Sequence, residues 1–419
     1  MVTVPNTFNN VEPIQRYPSS GLSILIVGGG IAGLGMAIEG YRKGHDVRVI
    51  DRRPNFEDYG DIIGIGDSVL NTMKNWQGFL DACYESPFPR EYHAYKFDGG
   101  FIGKLGEGLG MCRSLFHSLL HQYTLHLGIP IRHAAKAVDY FETDDHAGVH
   151  LEDALTHSNK LSSPLVAQVW KDIDCESRLY FGPDAHMVLG KTNNEIIWML
   201  THKDDGGAEE DWAKPTDPEK ALPYIEGWAP WFKDLITLTP EDGVVDFKLM
   251  WRNPKEKWVS PKARVVQIGD SAHTFLPTSA SGATMALEDA FSLAALLQLS
   301  GKSNAPLALR VQNKLRFERV TCAQKMGFKN RENFHNTDWD AAAKDPSLIL
   351  KQVDKWVSHH DAEQYAYEMY GKCANYIVGG TPFENTNTPP GHVFKLWTVS
   401  ELLDLAERGE KIVDDGDWS

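Results

Sequence analysis

The first regular pattern in the chain is a short apolar run, a glycine-rich turn and a helical repeat. Leu22 to Val27 is apolar and β-branched, which is typical of a strand buried on both faces of a parallel sheet. Ile31 to Lys43 follows in helical register, and Asp46 to Ile50 has the pattern of a second strand. The order strand, turn, helix, strand predicts a βαβ unit at the start of the fold.

The rest of the chain changes between helical and strand-like patterns. Arg113 to Leu127 has apolar side chains at three-to-four spacing and predicts a helix, and Val138 to Asp153 alternates like a hairpin. From Gln168 to Trp258, short strand-like runs are broken by glycine, proline and acidic clusters. Arg264 to Ile268 returns to the buried-strand pattern and leads into a helix predicted over Ala286 to Leu299. We therefore predict an α/β fold in which a mostly parallel sheet carries an inserted antiparallel sheet and a helical C-terminal region.

Composition and charge narrow the class of protein. The 419 residues are 42% apolar and 24% charged, which supports a packed core and excludes wholesale disorder. The formal net charge of −15 repels phosphate backbones, so nucleic acid and anionic membranes are disfavoured as partners. No apolar run is long enough for an integral membrane segment, and Met1 to Asn10 has no secretory signal pattern.

The cysteines and histidines give no sign of a metal site. The five cysteines are scattered and form no CxxC pair, so neither a disulfide scaffold nor a zinc site is expected. His117, His121 and His126 share part of a predicted helix without a nearby acid, which favours surface or packing roles over metal binding. We expect a reducing, cytoplasmic location.

The glycine-rich turn has the spacing of a dinucleotide-binding fingerprint. Gly28 permits the tight turn, Gly30 lets the backbone approach a pyrophosphate, and Gly33 lets the helix and strand pack closely. Asp51 ends the second strand, where an acid holds a ribose hydroxyl, and Arg52 follows it directly. An acid at this strand end favours FAD or NAD over NADP. An ordinary glycine turn is the alternative, but the complete strand, helix and acid context favours dinucleotide binding.

A second motif runs from Gly269 to Pro277 and continues through Ser281, Gly282 and Ala283 to Glu288, Asp289 and Ala290. With the N-terminal fingerprint upstream, the chain resembles the single-component flavoprotein monooxygenases of the para-hydroxybenzoate and salicylate hydroxylase type. The resemblance implies that Asp270 binds the ribityl chain of FAD and that the Gly282 and Ala283 segment meets the flavin ring. Arg113 resembles the arginine with which this family reaches FAD from a helix start.

One motif of the family is not found. The family carries a central Asp-Gly motif, followed by serine and arginine, that serves both FAD and the nicotinamide cofactor. Between Asp153 and Trp170 this chain has no such motif, so on the order of a few tens of residues are predicted to be absent. The chain is either a shortened member of the family or the product of a gene model that has lost an exon.

The resemblance implies a fungal enzyme of secondary metabolism. In that reaction NAD(P)H reduces FAD, O₂ adds to form a flavin hydroperoxide, and an aromatic or polyketide-derived substrate, typically a phenol, is hydroxylated. No catalytic base can be named from the chain. The alternatives are a flavin enzyme that does not hydroxylate, such as a cyclase or isomerase, and a flavin-free homologue that acts as a binding protein.

The resemblance also divides the chain into regions. The predicted regions are a flexible arm (1–20), the first part of the FAD-binding domain (21–164), a substrate-binding sheet (165–260), the second part of the FAD-binding domain (261–300) and a helical C-terminal region (301–419).

Overall fold

The computed structural model describes residues 7–53, 56, 62–85, 91–107, 109–152, 176–182, 185–191, 196–202, 216–239, 244, 252–336, 341, 344–345, 355–410, 412 and 416–418. The strands in these ranges are β1 (Ser23–Val27), β2 (Asp46–Ile50), β3 (Ile62–Ile65), β4 (Glu91–Lys96), β5 (Phe101–Glu107), β6 (Leu109–Cys112), β7 (Ile131–Arg132), β8 (Lys136–Glu142), β9 (Ala147–Glu152), β10 (Glu176–Gly182), β11 (Ala185–Lys191) and β12 (Ile196–His202). The α-helices are α1 (Ile31–Arg42), α2 (Asp67–Met73), α3 (Phe79–Tyr84), α4 (Arg113–His126), α5 (Trp231–Thr237), α6 (Gly282–Ser300), α7 (Ala305–Asn336), α8 (Lys355–Ser358), α9 (Ala362–Gly379) and α10 (Val399–Glu407).

The predicted βαβ unit is confirmed. β1 and β2 run parallel, with Ser23 opposite Asp46 and Val27 opposite Ile50, and β7 adds to the far side of β2. Helix α1 is the crossover between the two strands, and most of its residues are buried. The turn and the helix that it precedes therefore sit at the carboxyl end of the first strand, where α/β sheets bind their ligands.

Helix α6 forms the centre of the helical layer. It packs against α1, α7 and α9, and its residues are buried almost all round. A helix that is apolar on every side is stable only inside a core, which explains its alanine- and leucine-rich sequence. Gly35 of α1 allows the closest approach, because a Cβ there would lie 2.7 Å from Leu287 of α6. Among the described helices, none is long and apolar enough to cross a membrane.

A second, five-stranded sheet has the order β12-β11-β10-β4-β5. Its neighbouring strands are antiparallel except for β10 and β4, which pair in parallel. One face packs Tyr180, Met187 and Leu189 against Phe232 of α5. The sheet takes β4 and β5 from the chain before residue 164, so it draws strands from both sides of the domain boundary predicted there.

The strand predicted at Arg264 to Ile268 is wrong. This segment makes one isolated antiparallel bridge, between Val266 and Val259, and joins none of the sheets formed by the described residues. An apolar run identifies residues suited to burial, but a strand exists only where a neighbouring backbone pairs with it. The strand β1 lies at the edge of its sheet. Among the described strands it pairs with β2 alone, and Leu25 and Val27 are 44% and 40% exposed.

Candidate functional site

The glycine-rich turn has the geometry that its spacing predicts. Gly28 has φ +106°, a conformation that favours glycine. A Cβ at Gly33 would lie 2.0 Å from the Gly28 carbonyl oxygen, so this glycine allows α1 to pack on the end of β1. A Cβ at Gly30 would have no heavy atom within 4 Å, and Gly30 lines a large cavity. At Gly30 the turn therefore exposes its backbone to the cavity with no side chain in between.

The second motif packs directly on the first. Gly269 has φ +57°, and a Cβ there would lie 2.7 Å from the Cβ of Ala32 and 3.3 Å from that of Ala286. The turn that carries Asp270 thus touches the first turn of α1, although the two lie about 240 positions apart in sequence. Asp270 itself is exposed and lines the same cavity.

Three helices begin at this cavity without a side-chain cap. The N-caps of α1, α4 and α6 are Gly30, Cys112 and Ser281, and none of the three makes a capping side-chain hydrogen bond. The first backbone N–H groups of a helix have no partner within the helix, and its dipole places partial positive charge there. Because three such ends meet here, the cavity suits a ligand with negative charges at more than one position.

The cavity has a volume of about 2200 Å³. Seven of the residues predicted to bind the cofactor line it: Gly28, Gly30, Gly33, Arg113, Asp270, Gly282 and Ala283. Asp51 and Arg52 lie outside its lining. The Asp51 carboxylate accepts hydrogen bonds from the backbone N–H of Gly29 at 2.6 Å and of Arg53 at 2.8 Å, and Arg52 is exposed. The role predicted for these two residues stays a prediction.

Two histidines of α4 lie near the turn, and one of them contacts it. His117 Nε2 donates to the carbonyl oxygen of Gly29 at 2.5 Å, and burial lowers the pKa of its ring. Burial, together with the neighbouring His133, lowers the pKa of His121 to about 4, and this ring stacks on Phe56 at 4.2 Å. Both rings are therefore neutral at pH 7, where a neutral His117 can donate its one N–H to the turn.

One wall of the cavity comes from the five-stranded sheet. Leu179, Val188 and Met199 are cross-strand neighbours on β10, β11 and β12, and all three line the cavity. His186 lies on the same face two residues before Val188 and is 3% exposed. Phe275 to Ser281 lines the same space from the side of the cofactor motif. The cavity is thus continuous from the glycine turn to an apolar wall with one imidazole.

Sequence reasoning assigned no role to the groups that hold the second motif in place, although it included Asp289 in that motif. The N–H of Gly66 donates to Thr284 Oγ1 at 2.9 Å, and the N–H of Gly269 donates to Asp289 Oδ2 at 3.0 Å. A signal for Asp289 was present, because the pair Glu288 and Asp289 interrupts an otherwise apolar helix. Charged residues are almost never fully buried unless they are paired.

Comparison with known proteins places the chain among flavoproteins along nearly its whole length. It is similar to the FAD-dependent monooxygenase fsr3 of Gibberella fujikuroi (strain CBS 195.34 / IMI 58289 / NRRL A-6831), with 35% identity over 97% of this chain and 91% of the relative. The crystal structure of FqzB matches with a TM-score of 0.78 and 26% identity, covering 90% of this chain and 98% of FqzB. CtdE in complex with FAD and substrate 4 matches with a TM-score of 0.76 and 26% identity, covering 85% of this chain and 99% of CtdE. No family model matches the chain.

The alignment with fsr3 extends over 482 positions, although the chain itself has 419 residues. An alignment longer than the chain contains positions of the relative that have no counterpart here. The stretch from Asp153 to Trp170, where the central motif is predicted to be missing, lies outside the described residues. The absence of that motif stays a prediction.

Proposed function

Because the chain belongs to the FAD-dependent monooxygenases, we propose that it hydroxylates an aromatic or polyketide-derived small molecule with O₂, using NAD(P)H as the reductant. Its cofactor is FAD and its substrate is a small molecule. The observation that carries the proposal is the meeting of both glycine motifs and three uncapped helix N-termini at one cavity.

The residues at the cavity fit FAD. We assign the pyrophosphate to the turn from Gly28 to Gly33, where the lack of a Cβ at Gly30 leaves open space in front of the backbone at the start of α1. Asp270 offers a carboxylate to a ribityl hydroxyl, and the start of α6 at Gly282 and Ala283 offers N–H groups to the polar edge of the ring. Arg113 adds a positive charge from the start of α4. FAD supplies the redox and oxygen chemistry, and the protein supplies binding, orientation and exclusion of water.

Asp51 and Arg52 are assigned to the adenosine end of FAD. The Asp51 carboxylate already accepts two backbone N–H groups, but two carboxylate oxygens have about four acceptor positions in all. A ribose hydroxyl can therefore be added without breaking either bond. Arg52 is exposed next to it and is placed to interact with the adenosine from the solvent side.

The wall formed by the five-stranded sheet supports an aromatic substrate. Leu179, Val188 and Met199 form an apolar row across three strands, and Phe275 lines the same cavity. Apolar walls with a few polar groups are typical of small-molecule sites. His186 supplies a polar group in this wall, and we propose that it orients a hydroxyl of the substrate. Notoamide E oxidase notB' of Aspergillus versicolor, 29% identical to this chain, is a relative whose name specifies a substrate, which makes fungal metabolites a reasonable panel for assay.

Two measurements test the proposed function. The purified protein should have flavin absorption bands at about 370 and 450 nm. Anaerobic stopped-flow mixing with NADH or NADPH should then reduce the flavin, and a phenolic substrate should accelerate the reduction. Reduction stimulated by a phenol supports a hydroxylase.

A second candidate is a flavin enzyme that does not hydroxylate. The feature in its favour is the central motif predicted to be missing between Asp153 and Trp170, because in the family that motif serves the nicotinamide cofactor. A bound flavin that neither nucleotide reduces would support this candidate. A protein without flavin bands would instead support the flavin-free binding protein.

A further inference from the structure

The carboxylate of Asp289 fixes the turn that presents Asp270. Its Oδ2 accepts hydrogen bonds from the backbone N–H of Gly269 at 3.0 Å and from His273 Nε2 at 2.6 Å. Its Oδ1 accepts a hydrogen bond from Arg316 Nε at 2.8 Å. The Asp289 side chain is completely buried, and those of His273 and Arg316 are 2% and 1% exposed. Both oxygens are therefore held by the protein alone.

Asp289 is ionised in this setting. Burial by itself raises the pKa of the carboxyl, but the attraction of His273 and Arg316 outweighs burial and lowers it. Hydrogen bonds to an ionised acceptor are shorter and stronger than those between neutral groups. The N–H of Gly269 is thus held by a charge-assisted bond one residue before Asp270.

Asp289 is itself held in place by a wider set of buried charged residues. Arg316 also donates from Nη1 to Glu288 Oε2 at 2.6 Å, and Arg319 donates to both oxygens of Glu288 at 2.8 Å. Glu288 accepts a further bond from the hydroxyl of Ser68 at 2.8 Å, at the start of α2. We call Glu288, Asp289, Arg316 and Arg319 the α6–α7 charge network.

The α6–α7 charge network reaches the C-terminal region. Arg319 Nη1 donates to the carbonyl oxygen of Trp356 at 2.7 Å and to that of Asn387 at 3.0 Å, and Nη2 donates to that of Val357 at 3.0 Å. A planar guanidinium with five donors can hold several acceptors in one fixed geometry. The cofactor turn is therefore linked through Asp289 to Arg316, the C-terminal segment is bound to Arg319, and Glu288 joins the two arginines.

We propose that Asp289 is a positioning residue for the cofactor: through Gly269 and His273 it holds the turn in the conformation that directs Asp270 into the cavity. This inference rests on the proposed function, because it takes Asp270 as a contact to FAD. It assigns a role in cofactor binding to a buried residue that does not itself line the cavity. Such support matters because glycine, here at φ +57°, has the most backbone freedom to lose on folding, and because Asp270 is exposed.

The test is a double-mutant cycle between Asp289→Asn and Asp270→Ala. An asparagine has one acceptor oxygen and one NH₂ group, so it cannot accept from Gly269, His273 and Arg316 together. We expect Asp289→Asn to weaken FAD binding about tenfold and to change the visible circular dichroism of the bound flavin. In the Asp270→Ala background, Asp289→Asn should cause little further loss of affinity, because its effect passes through Asp270.

Glu363→Gln is the matched control. Glu363 bonds Arg42 and Lys43 at the other end of α1, and its side chain is 14% exposed. It should lower the melting temperature of the apo-protein and leave the dissociation constant of FAD and the flavin spectrum unchanged. If Asp289→Asn does not fold, Arg316→Lys replaces it in the cycle, because lysine keeps the charge but cannot bond Asp289 and Glu288 with two fixed donors.

The possible outcomes distinguish a failure of the role inferred for Asp289 from a failure of the FAD contact proposed for Asp270. If Asp270→Ala weakens FAD binding but Asp289→Asn leaves affinity and spectrum unchanged, the inference fails and the FAD contact stands. If the two losses simply add, Asp289 acts on the fold rather than through Asp270, and the inference also fails. If Asp270→Ala has no effect on affinity, the assigned FAD contact and the inference fail together.

Discussion

Substitutions at Gly30 and Gly33 test two different functions of the same turn. At Gly33 a Cβ would lie 2.0 Å from the Gly28 carbonyl oxygen and 3.2 Å from the side chain of Ile26. At Gly30 a Cβ would meet no atom within 4 Å, beside the cavity. We therefore expect Gly33→Ala to destabilise the protein itself, whereas Gly30→Val should chiefly prevent FAD from binding.

The geometry sets the expected magnitude for Gly33→Ala. The contacted atom belongs to the backbone, so no side-chain rotation relieves the clash. Overpacking costs roughly 1–3 kcal/mol, and a backbone clash this close indicates the upper end, about 3 kcal/mol. At roughly 2–4 °C per kcal/mol, the melting temperature of the apo-protein should fall by roughly 6–12 °C.

Gly30→Val should give the opposite pattern. Gly30 has φ −76° and an extended backbone that valine also adopts, so the apo-protein loses about 1 kcal/mol at most, from a poorer N-cap. The branched side chain would occupy the space assigned to the pyrophosphate. We expect FAD affinity to fall by about a hundredfold or more, which corresponds to about 2.8 kcal/mol.

The assay measures stability and binding separately on the same preparations. Flavin is removed, the melting temperature of each apo-protein is recorded, and FAD is then titrated with its fluorescence as the signal. Wild-type melting of Gly33→Ala would show that α1 does not need this close contact. Wild-type FAD affinity in Gly30→Val would refute the assignment of the pyrophosphate to the turn.

Three further predictions concern the cofactor, the substrate and pH. Asp270→Ala should reduce FAD affinity by up to about a hundredfold, roughly 1–3 kcal/mol, in a direct titration, and an unchanged dissociation constant would leave the turn a structural role only. His186→Phe should raise KM for a phenolic substrate more than it lowers kcat, with FAD content as the control, and an unchanged KM would exclude the orienting role. The pKa of His121 is lowered to about 4 in the folded protein, so its contribution to stability is present above pH 6.5 and is lost as the pH falls towards 4. His121→Phe should therefore flatten the decline in melting temperature over that range, and equal slopes in both proteins would contradict this.

Local patterns were enough to predict the elements that position the cofactor motifs. The βαβ unit, helix α4 and the hairpin of β8 and β9 all follow from apolar spacing within a few residues. The glycine spacing likewise predicted this turn, in which the lack of a Cβ at Gly33 permits its close contact with Gly28. These features could be predicted because strand alternation, helical period and glycine conformation depend on residues close together in the chain.

The segment from Arg264 to Ile268 marks the limit of such patterns. Its composition suits a buried strand, but pairing depends on a second backbone that the local sequence does not specify.

The prediction of FAD came from the resemblance to a family, and the similarity to fsr3 confirms it.

The sequence by itself determined the two cofactor motifs, the elements that carry them and the predicted chemistry. Only the tertiary structure decided how these parts meet: Gly269 against Ala32, Thr284 bonded to Gly66, and Asp289 holding the turn before Asp270. Gly66 and Thr284 lie 218 positions apart. Contacts over such distances depend on the packing of α6 between α1 and α7, because burial brings together groups that no local pattern relates.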